Sequence, residues 1–345
     1  MDPLSHAAFG RVLIGAAGER ETGRAVRGTI AAAMLGALSP DLDSMLMPFG
    51  WDRYLRGHEI GTHTILGTIV CALATAAVVR LFTRSRYAPL LLAGWLGASS
   101  HVLLDLLSSA RLRPGWPIVD TVVSLPVVAM ADPYLLTLCV GGAVAARFAG
   151  TRRASRAMLG AIAAFVAAKA VAGAIAFQGY AAERDRSGQP VLARAIEAEW
   201  ASLAEWRVID GTAAALRVWQ ARAGDQARLV LTLPRTADDP LVASSRRLST
   251  VRNFLRAHEL VFAGVLPRND GPTAVLWSDI RFCWDPDRPG AAQLEPVVRS
   301  GGTRVACALW FGGEFDATGA AVREIVRVGG FTQSRRAEIT TSSRR

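Results

Sequence analysis

Residues 88–109 read APLLLAGWLGASSHVLLDLLSS, an apolar run that contains one histidine and one aspartate, His101 and Asp105. A membrane-crossing helix needs about 20 predominantly apolar residues, so this run is long enough to span a bilayer. Ionisable side chains are costly at that depth, and residues retained there indicate a functional site. Because His101 and Asp105 are four residues apart, they project from the same face of a helix.

Other stretches of the N-terminal half share this apolar character, and the mean hydropathy of the whole chain is +0.26. Arginines gather in three of the connections between them, which are expected to be cytoplasmic. Further spans are predicted at about 28–47, 63–82, 133–149 and 157–178, with shorter tilted or re-entrant helices at 3–18 and 118–131.

The net charge of +10 comes from arginine, because Lys169 is the only lysine. The arginines lie in short connections and form no basic stripe interleaved with aromatic residues, so we expect no nucleic-acid partner. The partner that this composition predicts is the lipid bilayer.

The predicted topology places the candidate histidine and aspartate ligands of the N-terminal half together in one leaflet. Histidine nitrogens and carboxylate oxygens are the usual ligands of a catalytic divalent metal. The sequence therefore predicts a metal site, with zinc as the expected ion. The candidate ligands are His6, Asp41, Asp43, His58, His63, His101 and Asp105.

Two short motifs in this set leave alternatives open. In PDLD (40–43) the two aspartates differ by about 200° on a regular helix, so both can face a metal only from a turn. The alternative is that Asp41 caps the following turn and Asp43 is solvated. In HEIGTH (58–63) the histidines are five residues apart, which disfavours a zinc-protease helix and predicts a loop before the next span.

Other polar residues have simpler readings. His101 and Asp105 can form a buried hydrogen bond without a metal. Asp132 is expected to cap the helix that follows it, with a role as partner of a ligand histidine as the alternative. His258 has no acidic or histidine neighbour at ligand spacing, so it is expected to be a surface or core residue.

From about residue 181 the character changes to alternating apolar and charged residues. A helix is predicted at 191–206, and Cys283 and Cys307 lie in adjacent candidate strands that can form a disulfide outside the cytoplasm. The predicted fold is mainly α: a multi-pass transmembrane helical domain (1–180), then a small soluble α+β domain with an antiparallel sheet (181–345). Strands are predicted at 227–234, 257–267, 273–284 and 303–311.

The order of these motifs resembles the YdjM/YfhP-type family of membrane-bound metal-dependent hydrolases, which includes a LexA-regulated member. The resemblance covers roughly residues 1–150 and implies metal ligation by His6 and by both aspartates of PDLD. The family pattern at the histidine pair is similar to HRGITHS, whereas this chain has HEIGTHT (58–64). Both histidines match, and Glu59 stands where the pattern has an arginine. The motifs that carry it are Asp2 to His6, PDLD (40–43), the histidine pair (58–63), HVLLD (101–105), Trp116-Pro117 and Asp132-Pro133.

These observations predict an integral inner-membrane hydrolase that cleaves an ester or phosphoester, of a lipid or another amphiphile. The metal would activate a water, and Asp41 or Asp43 would take its proton. The soluble domain is expected to be extracytoplasmic. The alternative is a non-catalytic membrane protein that binds or transports a metal.

Overall fold

The computed structural model has a helical N-terminal half followed by antiparallel sheets, which confirms the predicted fold class. It forms two compact units: the first holds 1–178, 196–206 and 222–225, and the second holds 179–195, 207–221 and 226–345. The residues described are 1–18, 24–50, 54, 61–148, 152–235, 239–267, 271–287, 296–300, 302–329 and 331–337.

Among the described residues, three helices are each long and apolar enough to cross a membrane: α3 (Ile65–Thr83), α4 (Tyr87–Leu107) and α6 (Arg152–Ser187). α1 and α5 are shorter, with 15 and 16 residues. The predicted span at 133–149 therefore forms a helix that is short for a regular crossing. The helices are α1 (Pro3–Ala17), α2 (Arg24–Leu38), α3 (Ile65–Thr83), α4 (Tyr87–Leu107), α5 (Pro133–Phe148) and α6 (Arg152–Ser187).

The predicted span at 28–47 is bent rather than continuous. α2 ends at Leu38, and a 3₁₀ segment (Pro40–Phe49) continues from it at 47°. Pro40 causes the break, because proline has no N–H to donate and its ring clashes with the preceding turn. The bend places Asp41 and Asp43 in the first turn of the 3₁₀ segment.

The prediction of a short helix at 118–131 is wrong. This stretch is extended and returns to the end of α4 through isolated bridges, Leu112 with Val123 and Ser108 with Pro126. Proline at 126 and the β-branched pair Val122-Val123 favour extended backbone over helix.

Glycines bring α2 and α4 into close contact. A Cβ atom on Gly97 would lie 2.1 Å from the carbonyl oxygen of Ala33, and one on Gly36 would lie 2.3 Å from that of Gly94. Small residues allow such approach between membrane helices, where packing replaces hydrophobic burial as the source of association. The backbone of α2 thereby comes within reach of side chains on α4.

A buried ion pair fixes the start of α5 within the first unit. Lys169 Nζ on α6 lies 3.6 Å from Asp132 Oδ2 and donates to the carbonyl oxygen of Ser202 at 2.7 Å. Asp132 Oδ1 also accepts from the backbone N–H groups of Tyr134 and Leu135, which confirms the predicted helix cap. Pairing and capping together satisfy a carboxylate that is 1% exposed.

The C-terminal strands form three sheets, with strand orders β1-β2-β3-β4, β12-β11-β10-β6-β5 and β7-β9-β8. Two helices, α7 (Pro240–Ser245) and α8 (Ser249–Ala257), precede β5. The strands are β1 (Ala193–Ala198), β2 (Glu205–Gly211), β3 (Ala215–Arg222), β4 (Arg228–Pro234), β5 (Val261–Leu266), β6 (Thr273–Asp279), β7 (Cys283–Trp284), β8 (Val297–Ser300), β9 (Thr303–Cys307), β10 (Leu309–Phe315), β11 (Ala321–Val328) and β12 (Phe331–Arg336).

Two sequence predictions for this region have opposite outcomes. The helix predicted at 191–206 is wrong: the stretch forms β1, a turn and the first residues of β2, because strand pairing outweighs local helix propensity. The disulfide between Cys283 and Cys307 is confirmed, since these residues face each other on β7 and β9. It lies in a core that includes Phe262, Ile280 and Trp310.

Replacing Gly97 by alanine is expected to lower the free energy of unfolding by about 1–3 kcal/mol, because the added methyl group meets backbone rather than a flexible side chain. Gly141→Ala on α5 is the matched control, since nothing lies within 4 Å of its added Cβ. Thermal unfolding of the detergent-solubilised protein measures both. Equal stability of the two variants would contradict the close packing of α2 and α4.

Candidate metal centre

Four side chains from three elements converge in the first unit. His101 and Asp105 lie on the last two turns of α4, His63 in the turn before α3, and Asp41 at the start of the 3₁₀ segment. One nitrogen or oxygen atom from each lies within 4.8 Å of the others, so the group can hold a metal ion. The break at Pro40 turns Asp41 toward His101 and Asp105 on α4.

Five of the six distances among these atoms are those expected of a tetrahedral site. His101 Nε2 lies 3.1 Å from Asp105 Oδ2, 3.2 Å from His63 Nε2 and 3.4 Å from Asp41 Oδ1. His63 Nε2 lies 3.5 Å from Asp105 Oδ2 and 3.6 Å from Asp41 Oδ1. Zinc bonds of about 2.0–2.1 Å imply ligand–ligand distances of about 3.3–3.4 Å in a tetrahedron. The five distances bracket that value.

The charge of the cluster also fits a divalent cation. Two carboxylates and two neutral imidazoles carry a charge of −2, and three of the four side chains are at most 5% exposed. Buried carboxylates need a compensating cation or donors, because desolvation of a charge is costly. A simple hydrogen bond between His101 and Asp105 leaves the close approach of two further polar groups unexplained.

The tautomer of His101 is set from the side opposite the cluster. Its Nδ1 lies 2.7 Å from the carbonyl oxygen of Ala37 on α2, and an oxygen that only accepts requires Nδ1 to carry the proton. The lone pair of Nε2 is then directed at the cluster. Such backbone contacts orient histidine ligands in metal sites.

Asp43 and Thr62 hold His63 in an equivalent way. Thr62 Oγ1 lies 3.2 Å from His63 Nδ1 and donates to Asp43 Oδ2 at 3.2 Å, while His63 Nδ1 lies 3.6 Å from that carboxylate. The structure therefore places Asp43 behind His63 rather than among the four clustered ligand atoms. Its side chain is 8% exposed, so the alternative of a solvated Asp43 is wrong.

His6 lies beside the cluster, fully buried. Its ring stacks on that of His101 with centroids 3.8 Å apart, and its Nε2 lies 3.3 Å from Asp105 Oδ1. The amino group of Met1 lies 2.5 Å from the same oxygen. Asp2 positions His6 by capping α1, since its Oδ1 accepts from the Ser5 N–H at 2.8 Å.

Of the other candidates, His58 lies outside the described residues, as does Glu59. Tyr54 was not among the sequence candidates, yet burial and the nearby carboxylates of Asp43 and Asp41 raise the pKa of its phenol above the ordinary value. Its position between the PDLD and HEIGTH motifs was the only available signal.

His258 is a core residue, one of the two expected alternatives, with a side chain that is 9% exposed. Its Nδ1 lies 3.0 Å from Asp279 Oδ2, a buried acid 21 positions away that local spacing does not reveal. Together with Arg281, whose guanidinium donates to both oxygens, it keeps the pKa of Asp279 at about 2, although burial alone would raise it.

Apolar helices long enough to cross a bilayer, together with a buried His/Asp cluster, define a membrane protein with a candidate metal site. The chain belongs to the YdjM inner membrane protein family, which matches residues 1–180. This match confirms the resemblance drawn from the motifs and supports a membrane location. No curated protein and no solved structure matches the chain.

Replacing Asp43 by asparagine is expected to weaken metal binding by about 10–100-fold, because His63 loses the carboxylate that orients it. Competition with a chelator measures the affinity, and Asp120→Asn, an exposed acid on a loop, is the control. His63→Gln removes a ligand atom and should lose more affinity than Asp43→Asn. Unchanged affinity in Asp43→Asn would contradict the orienting role.

Proposed function

We propose that the chain is an integral inner-membrane hydrolase whose divalent metal, with zinc as the expected ion, is held by His63, His101 and Asp105. The observation that carries this proposal is a difference in exposure. These three side chains are buried, whereas that of Asp41 is 34% exposed. Structural metal sites are closed, while catalytic sites keep one position accessible.

When bound, a divalent cation lowers the pKa of water toward about 7 and polarises the bond to be cleaved. The remaining steps fall to side chains of the protein. Asp41 is the exposed member of the four side chains, so in this proposal its corner of the tetrahedron is the accessible position. A water takes that position, and the Asp41 carboxylate accepts its proton. Asp43 accepts a hydrogen bond from Thr62 and lies behind His63, so it is the weaker candidate for this base.

The position of the cluster supports an amphiphilic substrate. Asp105 and His101 lie on α4, a helix apolar enough to cross a bilayer, and His63 directly precedes another, α3. A site built at the ends of such helices can reach the ester or phosphoester of a lipid without extracting it from the membrane. We therefore include lipid esters and phosphoesters as the substrate class.

Asp41→Asn is expected to lower turnover by about 10²–10⁴-fold while metal remains bound, because the three buried ligands are intact. His101→Gln should lose both metal and turnover. Metal analysis and hydrolysis of an ester, a phosphate monoester and a phospholipid measure these effects. Asp185→Asn, at an exposed acid on α6, is the control.

Two outcomes would contradict this assignment. Full turnover in Asp41→Asn would remove Asp41 as the base. A wild-type protein that binds metal stoichiometrically, yet hydrolyses none of the substrates, would instead favour a metal-binding or transport function.

We also propose that the second unit is extracytoplasmic, because stable disulfides such as Cys283–Cys307 form in oxidising compartments. Alkaline phosphatase fused after residue 345 should be active. A fluorescent protein fused at the same position and exported by the general secretory route should not fluoresce. The reverse pattern would place this unit in the cytoplasm.

A further inference from the structure

The second unit contains a cavity of about 470 Å³ that the proposed hydrolase does not use. Its volume is in the range of small-molecule sites, which combine apolar walls with a few polar groups. Leu192, Leu255 and Val261 supply apolar wall, and three basic side chains supply the polar groups: Arg235, Arg246 and His258.

His258 is the buried polar group of this cavity, with a side chain that is 9% exposed. Its Nδ1 lies 3.0 Å from both Asp279 Oδ2 and Arg281 Nη2. Arg281 Nη2 can only donate and Asp279 Oδ2 can only accept, so Nδ1 is contacted by a donor and by an acceptor. The other ring nitrogen, Nε2, has no hydrogen-bond partner among the described residues, so a buried polar atom is left for a ligand.

The two arginines provide positive charge without an acidic partner among the described residues. Arg235 donates to the carbonyl oxygens of Thr212 and Glu259, at 3.0 and 3.4 Å, and Arg246 lies 4.8 Å from the ring centre of Trp277. Within the described part of the chain, no carboxylate lies at ion-pair distance from either guanidinium. The Glu259 side chain also lines the cavity, but it is exposed.

We propose that this cavity binds a phosphate monoester, with the phosphate at Arg235, Arg246 and His258 and the organic part against the apolar wall. Guanidinium groups present paired donors that match phosphate oxygens, which favours phosphate over a single carboxylate. The phosphate can belong to a soluble metabolite or to a lipid headgroup. The chemistry that the cavity recognises is the same in both cases.

Isothermal titration of the full-length protein with sn-glycerol 3-phosphate tests the soluble source, and dihexanoyl phosphatidic acid tests the lipid source. Saturable binding of either is expected, with no binding of glycerol, which lacks the phosphate. Arg246→Gln should raise Kd about tenfold or more, since it removes a charge-assisted contact. Arg247→Gln changes the neighbouring exposed arginine, which does not line the cavity, and should bind like wild type.

Arg235→Gln provides a second variant, and unfolding temperatures identify any variant that is misfolded. Weakening in either correctly folded variant supports the site, and the probe that binds identifies the source of the phosphate. The proposal is overturned if neither probe binds to wild type. It is equally overturned if Arg246→Gln, Arg235→Gln and Arg247→Gln all bind with the same Kd.

Discussion

The hydrogen bond from His101 Nδ1 to the carbonyl oxygen of Ala37 joins α4 to α2 and directs the other histidine nitrogen at the cluster. It forms only because Gly97 and Gly36 let the two helix backbones approach closely. A carbonyl in a helix interior normally bonds four residues onward. The break before Pro40 removes that partner, so the same proline frees the acceptor and turns Asp41 inward. The close packing of α2 on α4, the tautomer of His101 and the position of Asp41 are thus linked at the C-terminal end of α2.

The cluster shows how a membrane domain can hold carboxylates in an apolar setting. Asp105 is shared between His101, His63 and His6, and Asp43 is held behind His63. Each acid has partners from different elements, so the polar groups also join helices that lipid alone would not hold together. The exposure of Asp41 is the exception to this pattern, and it is where chemistry with an outside molecule can occur.

Sequence patterns predicted this arrangement where the signal was local. HVLLD encodes its own geometry, because a four-residue spacing fixes one helical face, and Asp132 before Pro133 reads directly as a cap. The patterns were insufficient where distant pairing decided the outcome. The 191–206 stretch forms β1 and the first residues of β2 because these strands pair in a sheet. His258 is held by Asp279, which is 21 residues away in the sequence. Tyr54 had no periodicity to mark it, since its surroundings come from separate elements.

Lys169 is the only lysine of the chain, and it is 2% exposed beside Asp132. The accessible side-chain cations are therefore guanidinium groups, which stay charged across the biological pH range. Acetylation, the common way to switch off a basic patch, has no accessible side-chain amine to act on in this protein. The positive charge of its exposed side chains is consequently independent of lysine acetylation.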